Sequence, residues 1–78
     1  MIKITQEEAD EVVRLHGLWL EGKPTGERAN FRGKDLSGLD FRGADLWLAN
    51  FSRVNLSNVS FFLAYLNNAD LSCADLRR

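Results

Sequence analysis

From position 29 onward, a large apolar residue recurs at every fifth place: Phe31, Leu36, Phe41, Leu46, Phe51, Leu56, Phe61, Leu66, Leu71 and Leu76. Two places before each stands a second apolar series, Ala29, Lys34, Leu39, Ala44, Ala49, Val54, Val59, Ala64, Ala69 and Ala74, broken only by the lysine. The position between the two is Asn or Asp in eight of ten blocks. A helix needs apolar residues at i, i+3 and i+4, and a half-buried strand needs alternation. Five residues advance a helix by about 500°, which would smear the apolar set over every face. A chain that turns inward once per five residues satisfies the pattern. Four blocks, or 20 residues, then close one square lap, and laps stack at about 4.8 Å. Outward residues fall into columns: Asn30/Asn50/Asp70, Asp35/Asn55/Asp75, Asp40/Ser60 and Asp45/Tyr65. No Asp lies directly over another Asp, which spares the ladder like-charge repulsion.

Residues 1–28 do not repeat. Thr5-Gln6-Glu7-Glu8 reads as a capping box. Ala9, Val12, Val13, His16, Trp19 and Leu20 then share one helical face, and Gly22 with Pro24 behind it stops the helix. The spacing predicts a helix from Gln6 to Glu21, with Lys23-Pro24-Thr25-Gly26 as linker. A stack of laps exposes its core at each end and needs caps. The helix is expected to supply one, laying Val12, Val13 and Trp19 over the lap from Phe31 to Leu46. Ile2 and Ile4, alternating with Lys3, add a short strand to that lap.

The ten blocks, from ANFRG and KDLSG through ADLWL to ADLSC and ADLRR, resemble A(D/N)LXX, the signature of the pentapeptide-repeat family. The resemblance covers residues 29–78, about two thirds of the chain. It departs from the family pattern at Lys34, at Ser60 and Tyr65, and at the large first-position residues Leu39, Val54 and Val59. It implies a mainly β fold: a right-handed quadrilateral β-helix of about 2.5 coils, ten blocks at four per coil, with an N-terminal capping α-helix. Residues 1–28 form the cap and linker and residues 29–78 the β-helix, together one compact domain. The small size is that of members from phages and mobile elements.

Composition narrows the function classes. Net charge is −1, so there is no global pull toward nucleic acid or anionic membrane. One cysteine, Cys73, and one histidine, His16, cannot build a zinc site, and no phosphate-binding glycine loop is present. No apolar run reaches membrane-spanning length, and the N-terminus lacks the apolar stretch of a signal peptide. The expectation is a cytoplasmic, non-enzymatic protein with no catalytic, metal or cofactor site and no direct contact with nucleic acid or membrane.

Two surfaces are candidates for a protein partner. Glu7, Glu8, Asp10 and Glu11 on the helix and Asp35, Asp40 and Asp45 around the first coil form an acidic one. Trp47, Leu48, Phe62 and Leu63, at normally polar outward positions, join Tyr65 in an apolar one on two adjacent sides of the square, suited to a partner or to self-association. The resemblance implies a small duplex-DNA mimic that inhibits a DNA-binding effector. About 12 Å of rod spans only three to four base pairs. That short footprint fits a PAM-reading CRISPR-Cas surveillance complex better than the long saddle of DNA gyrase or another topoisomerase. The alternatives are such a gyrase-binding mimic, or an interaction module using the aromatic patch. An uncapped C-terminal end, lined by Phe61, Leu66, Leu71 and Leu76, offers a route to a homodimer.

Overall fold

The computed structural model describes residues 1–77; Arg78, the last residue of the tenth block, lies outside them. Helix α1 spans Gln6–Leu20. Its capping box is formed: the Glu8 N–H donates to Thr5 Oγ1 at 3.1 Å, and the Thr5 N–H donates to Glu8 Oε1 at 2.8 Å. Glu21 is the C-cap, and Gly22 follows at φ 76°.

Beyond the linker the chain returns over itself every 20 residues. Parallel bridges join Asn30 to Asn50, Asp35 to Asn55, Asp40 to Ser60, Asp45 to Tyr65, Asn50 to Asp70 and Asn55 to Asp75. These are the columns the five-residue period predicts. Each is sustained by backbone bonds in both directions, such as Phe31 N–H to Asn50 O at 2.8 Å and Asn50 N–H to Ala29 O at 3.0 Å. Lys3 bridges Asp35 from below, so residues 2–4 do pair with the first coil.

The expected mainly β content does not take the form of strands. Among the described residues every bridge is isolated, and the one regular element is α1. The reason lies in the block. Its fourth and fifth residues make a turn, closed by a bond from the next first-position N–H to the third-position carbonyl, as from Lys34 to Phe31 at 3.0 Å. One residue per side is left to pair. Among the described residues the fifth position always has positive φ: Gly33, Gly38 and Gly43, then Leu48, Arg53, Asn58, Leu63, Asn68 and Cys73. Positive φ at the third residue of a four-residue turn is the type II requirement.

The second position has its own local task. Its side-chain oxygen accepts the N–H two residues on: Arg32 to Asn30, Ser37 to Asp35, Arg42 to Asp40, Ser52 to Asn50, Ser57 to Asn55, Ser72 to Asp70 and Arg77 to Asp75. These Asx-type bonds account for the Asn/Asp preference. Lys34 leaves the register intact, since its carbonyl accepts the Asn55 N–H at 3.1 Å.

Third-position side chains meet on the axis. Phe31, Leu36, Phe41, Leu46, Phe51 and Leu56 are buried. Phenylalanine alternates with leucine along the blocks until Phe61, so opposite sides of the square carry rings and the sides between carry leucines. Phe31 stacks on Phe51 at 5.1 Å and Phe41 on Phe61 at 5.5 Å, while Phe41 meets Phe51 edge-on at 5.9 Å. Stacked along the axis and edge-on across it are the arrangements a ring quadrupole prefers. Toward the C-terminal end, Phe61, Leu66 and Leu71 are half-buried and Leu76 is exposed.

Helix α1 closes the other end. Val12 and Val13 pack on the core and Ala9 is fully buried. Trp19 departs from expectation: it is 36% exposed, and its ring stacks on His16 at 5.5 Å, whereas Val12 and Val13 pack on the core. His16 is the residue of that face wholly buried between helix and coil. Among the described residues, no helix is long and apolar enough to cross a membrane.

Candidate interaction surface

The two expected surfaces fare differently. The acidic residues do share one end of the molecule. Gln6 ties the start of α1 to the ring, exchanging two 2.8 Å bonds with the Asp40 backbone, and its amide also reaches Asp10 at 2.9 Å. Most of the carboxylates are already engaged. Glu8 is in the capping box, and Glu11 pairs with Arg14 at 2.7 Å. Asp40 holds Arg42 at 2.8 Å. Asp35 accepts from Ser37 beside Lys3, whose ammonium donates to the Ser37 carbonyl.

Those contacts hold several carboxyls below their ordinary range. For Glu11 the cause is Arg14, for Asp40 the Arg42 side chain and then its N–H, and for Asp35 the Ser37 N–H and hydroxyl. Outside the expected set, Asp70 is lowered by Ser72, with Arg32 and Arg28 nearby, and Asp75 is held down to about 2 by Arg77. Among the described residues only Glu7 and Asp45, of the seven expected acids, make no side-chain bond. The sequence count of carboxylates missed the arginines placed two residues after Asp40 and Asp75 and three after Glu11.

The apolar residues are less committed. Trp47 is 42% exposed, Leu48 38%, Phe62 67%, Leu63 73% and Tyr65 59%. They lie on one side of the square and its two bounding corners, rather than on two adjacent sides. Phe62 and Leu63 sit at the upper coil of one corner, over Arg42 and Gly43, with the Gly43 N–H bonded to Phe62 O at 2.9 Å. Trp47 and Leu48 sit at the lower coil of the next corner, under Asn67 and Asn68. Tyr65, bridged to Asp45 below it, occupies the side between. The five form a diagonal strip across one face. The linker does not cover it; its neighbour Arg28 only donates Nε–H to Leu48 O at 2.7 Å.

Backbone conformation singles out two members. Leu48 and Leu63 hold left-handed positions at φ 64° and 61°, where the first three corners use glycine. A left-handed non-glycine residue costs about 1–2 kcal/mol. Leu63 recovers little of it by burial within the chain. Bulky apolar residues kept both strained and wet are a reason to look for function.

Not every outward position faces water. Ser52 is buried, its hydroxyl donating to Asn50 Oδ1 at 2.6 Å. Cys73 is exposed, and His16 is wholly buried and bonded to two backbone groups. No group of three His, Cys, Asp or Glu among the described residues could hold a metal ion. At the C-terminal coil a recess of about 430 Å³ opens between Leu56, Val59, Phe61 and Leu76.

The family model for pentapeptide repeats matches residues 27–58 and 48–78, in eight copies. The chain belongs to the pentapeptide-repeat family. No curated protein and no solved structure matches it. Membership implies a protein-interaction module, and pentapeptide-repeat proteins are in general structural or interaction modules. The repeat supplies the scaffold, and residues at the turn positions give this chain its own face.

Proposed function

We propose that this chain is a non-enzymatic protein-interaction module, built on a right-handed quadrilateral β-helix, that binds another polypeptide through the strip formed by Trp47, Leu48, Phe62, Leu63 and Tyr65. The observation that carries it is the exposure of five large apolar side chains on one face, two of them on left-handed backbone. Apolar patches on monomers seldom exceed a few hundred Å², and the larger ones are often functional. Tyr and Trp are the residues that anchor interfaces.

A duplex-DNA mimic acting on a DNA-binding effector such as a CRISPR-Cas complex is the second reading. It is favoured by the Gln6–Asp40 bonds, which draw the helix acids and the ring acids to one end. The Arg14, Arg42 and Lys3 partners of those acids weigh against it.

Capture by tagged protein, washed at rising salt, separates the two. Contact through the strip should survive high salt, vanish in Phe62→Asp with Leu63→Asp, and persist after Asp35→Lys, Asp40→Lys and Asp45→Lys. Mimicry of DNA requires the reverse on all three counts, because salt screens a basic groove.

A further inference from the structure

We propose that the strip is occupied by a second copy of this chain, in a two-fold symmetric dimer joined side to side through the Tyr65 face. This rests on the reading of the strip as the contact surface and names its occupant.

Area is the first argument. With whole aromatic side chains at 150–250 Å² and the fractional exposures above, the five residues present about 500 Å² of apolar surface. Apolar atoms make up roughly 60% of an interface, so an interface centred on this strip covers about 800 Å² per partner. That is the size of a standard specific interface, roughly 1,600 Å² in total. The strip with its polar rim is large enough to hold a dimer.

Shape is the second. Tyr65 lies between the two corners, on the same upper coil as Phe62 and Leu63 at one of them, while Trp47 and Leu48 lie one coil lower at the other. A two-fold axis in the plane of the face, crossing the strip at Tyr65, lays Phe62 and Leu63 of one copy on Trp47 and Leu48 of the other. It also brings the two Tyr65 rings together. Such a contact is isologous, each residue meeting the partner of its own partner. A patch confined to one corner would not match itself in this way.

Charge is the third. The rim carries both signs: Asp45, whose carboxylate is unpaired among the described residues, lies under Tyr65, and Arg28 lies beside Leu48. Two like faces can meet without forcing like charges together. The acidic end could not, and a rim of one sign would oppose self-pairing.

Sedimentation equilibrium of the purified full chain, from low micromolar to submillimolar, tests this. The wild type should reach twice the chain mass, and Phe62→Asp and Tyr65→Lys should each remain monomeric with an unchanged far-ultraviolet spectrum. Leu76→Asp, at the C-terminal coil, should dimerise as the wild type does. A wild type that stays monomeric throughout overturns the proposal, as does a dimer dissociated by Leu76→Asp and unaffected by the two strip variants. If the wild type is monomeric while the Phe62→Asp and Leu63→Asp pair still abolishes capture of another protein, the dimer is wrong and the interaction surface stands.

Discussion

The Ala29 N–H donates to His16 Nδ1 at 2.9 Å, so the helix and the first residue of the repeat are joined by one side chain. Because Nδ1 accepts, the ring proton sits on Nε2, which donates to Trp47 O at 2.6 Å. Ala29 opens the first coil and Trp47 stands near its end. A single imidazole therefore joins the start and the end of the lap that α1 covers, at the corner where they meet, and satisfies two backbone groups in a buried place.

His16→Leu keeps the apolar volume and removes both bonds. An unsatisfied buried donor or acceptor costs about 1–3 kcal/mol. The variant should lose about 2–5 kcal/mol in urea denaturation followed by circular dichroism. A loss under about 0.5 kcal/mol would show that the two His16 bonds do not hold the helix, leaving it to Val12, Val13, Ala9 and the Gln6–Asp40 bonds.

Acid should weaken the fold within a defined window. Asp75, held down to about 2, and the lowered Asp35, Asp40, Asp70 and Glu11 all have folded values below their unfolded ones. Such groups stabilise fully above the unfolded carboxylate value, near 4, and that contribution is lost as pH falls through the folded value. Through these carboxylates the thermal midpoint should drop between about pH 4 and pH 2. Asp75→Asn should flatten the lower part of the drop, and a midpoint unchanged down to pH 2 would contradict the assignment.

The turn corners give a pair of opposite outcomes. Gly38 has φ 76° and open space where a Cβ would go, so Gly38→Ala meets only the backbone penalty, about 1 kcal/mol. Leu63→Gly removes that penalty at a residue with little burial to lose. After the greater chain entropy of glycine, it should gain about 0.5 kcal/mol. Both are read from thermal melts at low concentration, where association does not contribute. Stabilisation by Gly38→Ala or destabilisation by Leu63→Gly would refute the left-handed corners.

Gly26 is required for a different reason. A Cβ there would lie 2.1 Å from the Trp19 backbone nitrogen. The linker crosses α1 too closely for any side chain, and its N–H is tied to Lys23 O at 3.1 Å. Gly26→Ala should cost more than Gly38→Ala, about 2 kcal/mol or more, because backbone must move. Equal melting points for the two variants would mean that the linker runs elsewhere.

Much of this was legible in the residues themselves. Ten blocks without an insertion left one way to fold Phe31 through Leu76 inward, and the bridge columns follow from that count. Thr5 and Glu8 marked the helix start because a capping box is local. What escaped was set by partners distant in sequence or by geometry with no letter attached. His16 read as an apolar-face residue because its partners, residues 29 and 47, come from the coil. Trp19 shared that face but stacks on His16 and stays partly exposed. Asp40 and Glu11 counted as free charge until Arg42 and Arg14 were seen folded onto them. Ser52 showed no sign of burial, since its fourth-position neighbours Ser37 and Ser57 are only half-buried. Leu48 and Leu63 were visible as misplaced apolar residues, whereas their left-handed backbone was not.

Every surface assignment depends on the 20-residue return of the chain. Interstrand nuclear Overhauser contacts on labelled protein measure it directly. Backbone protons of Asn30 should lie near those of Asn50, Asp35 near Asn55, Asp40 near Ser60 and Asp45 near Tyr65, with helical i, i+3 contacts confined to residues 6–20. Helical contacts anywhere between residues 29 and 77, or interstrand contacts within that stretch at a separation other than 20, would contradict the account.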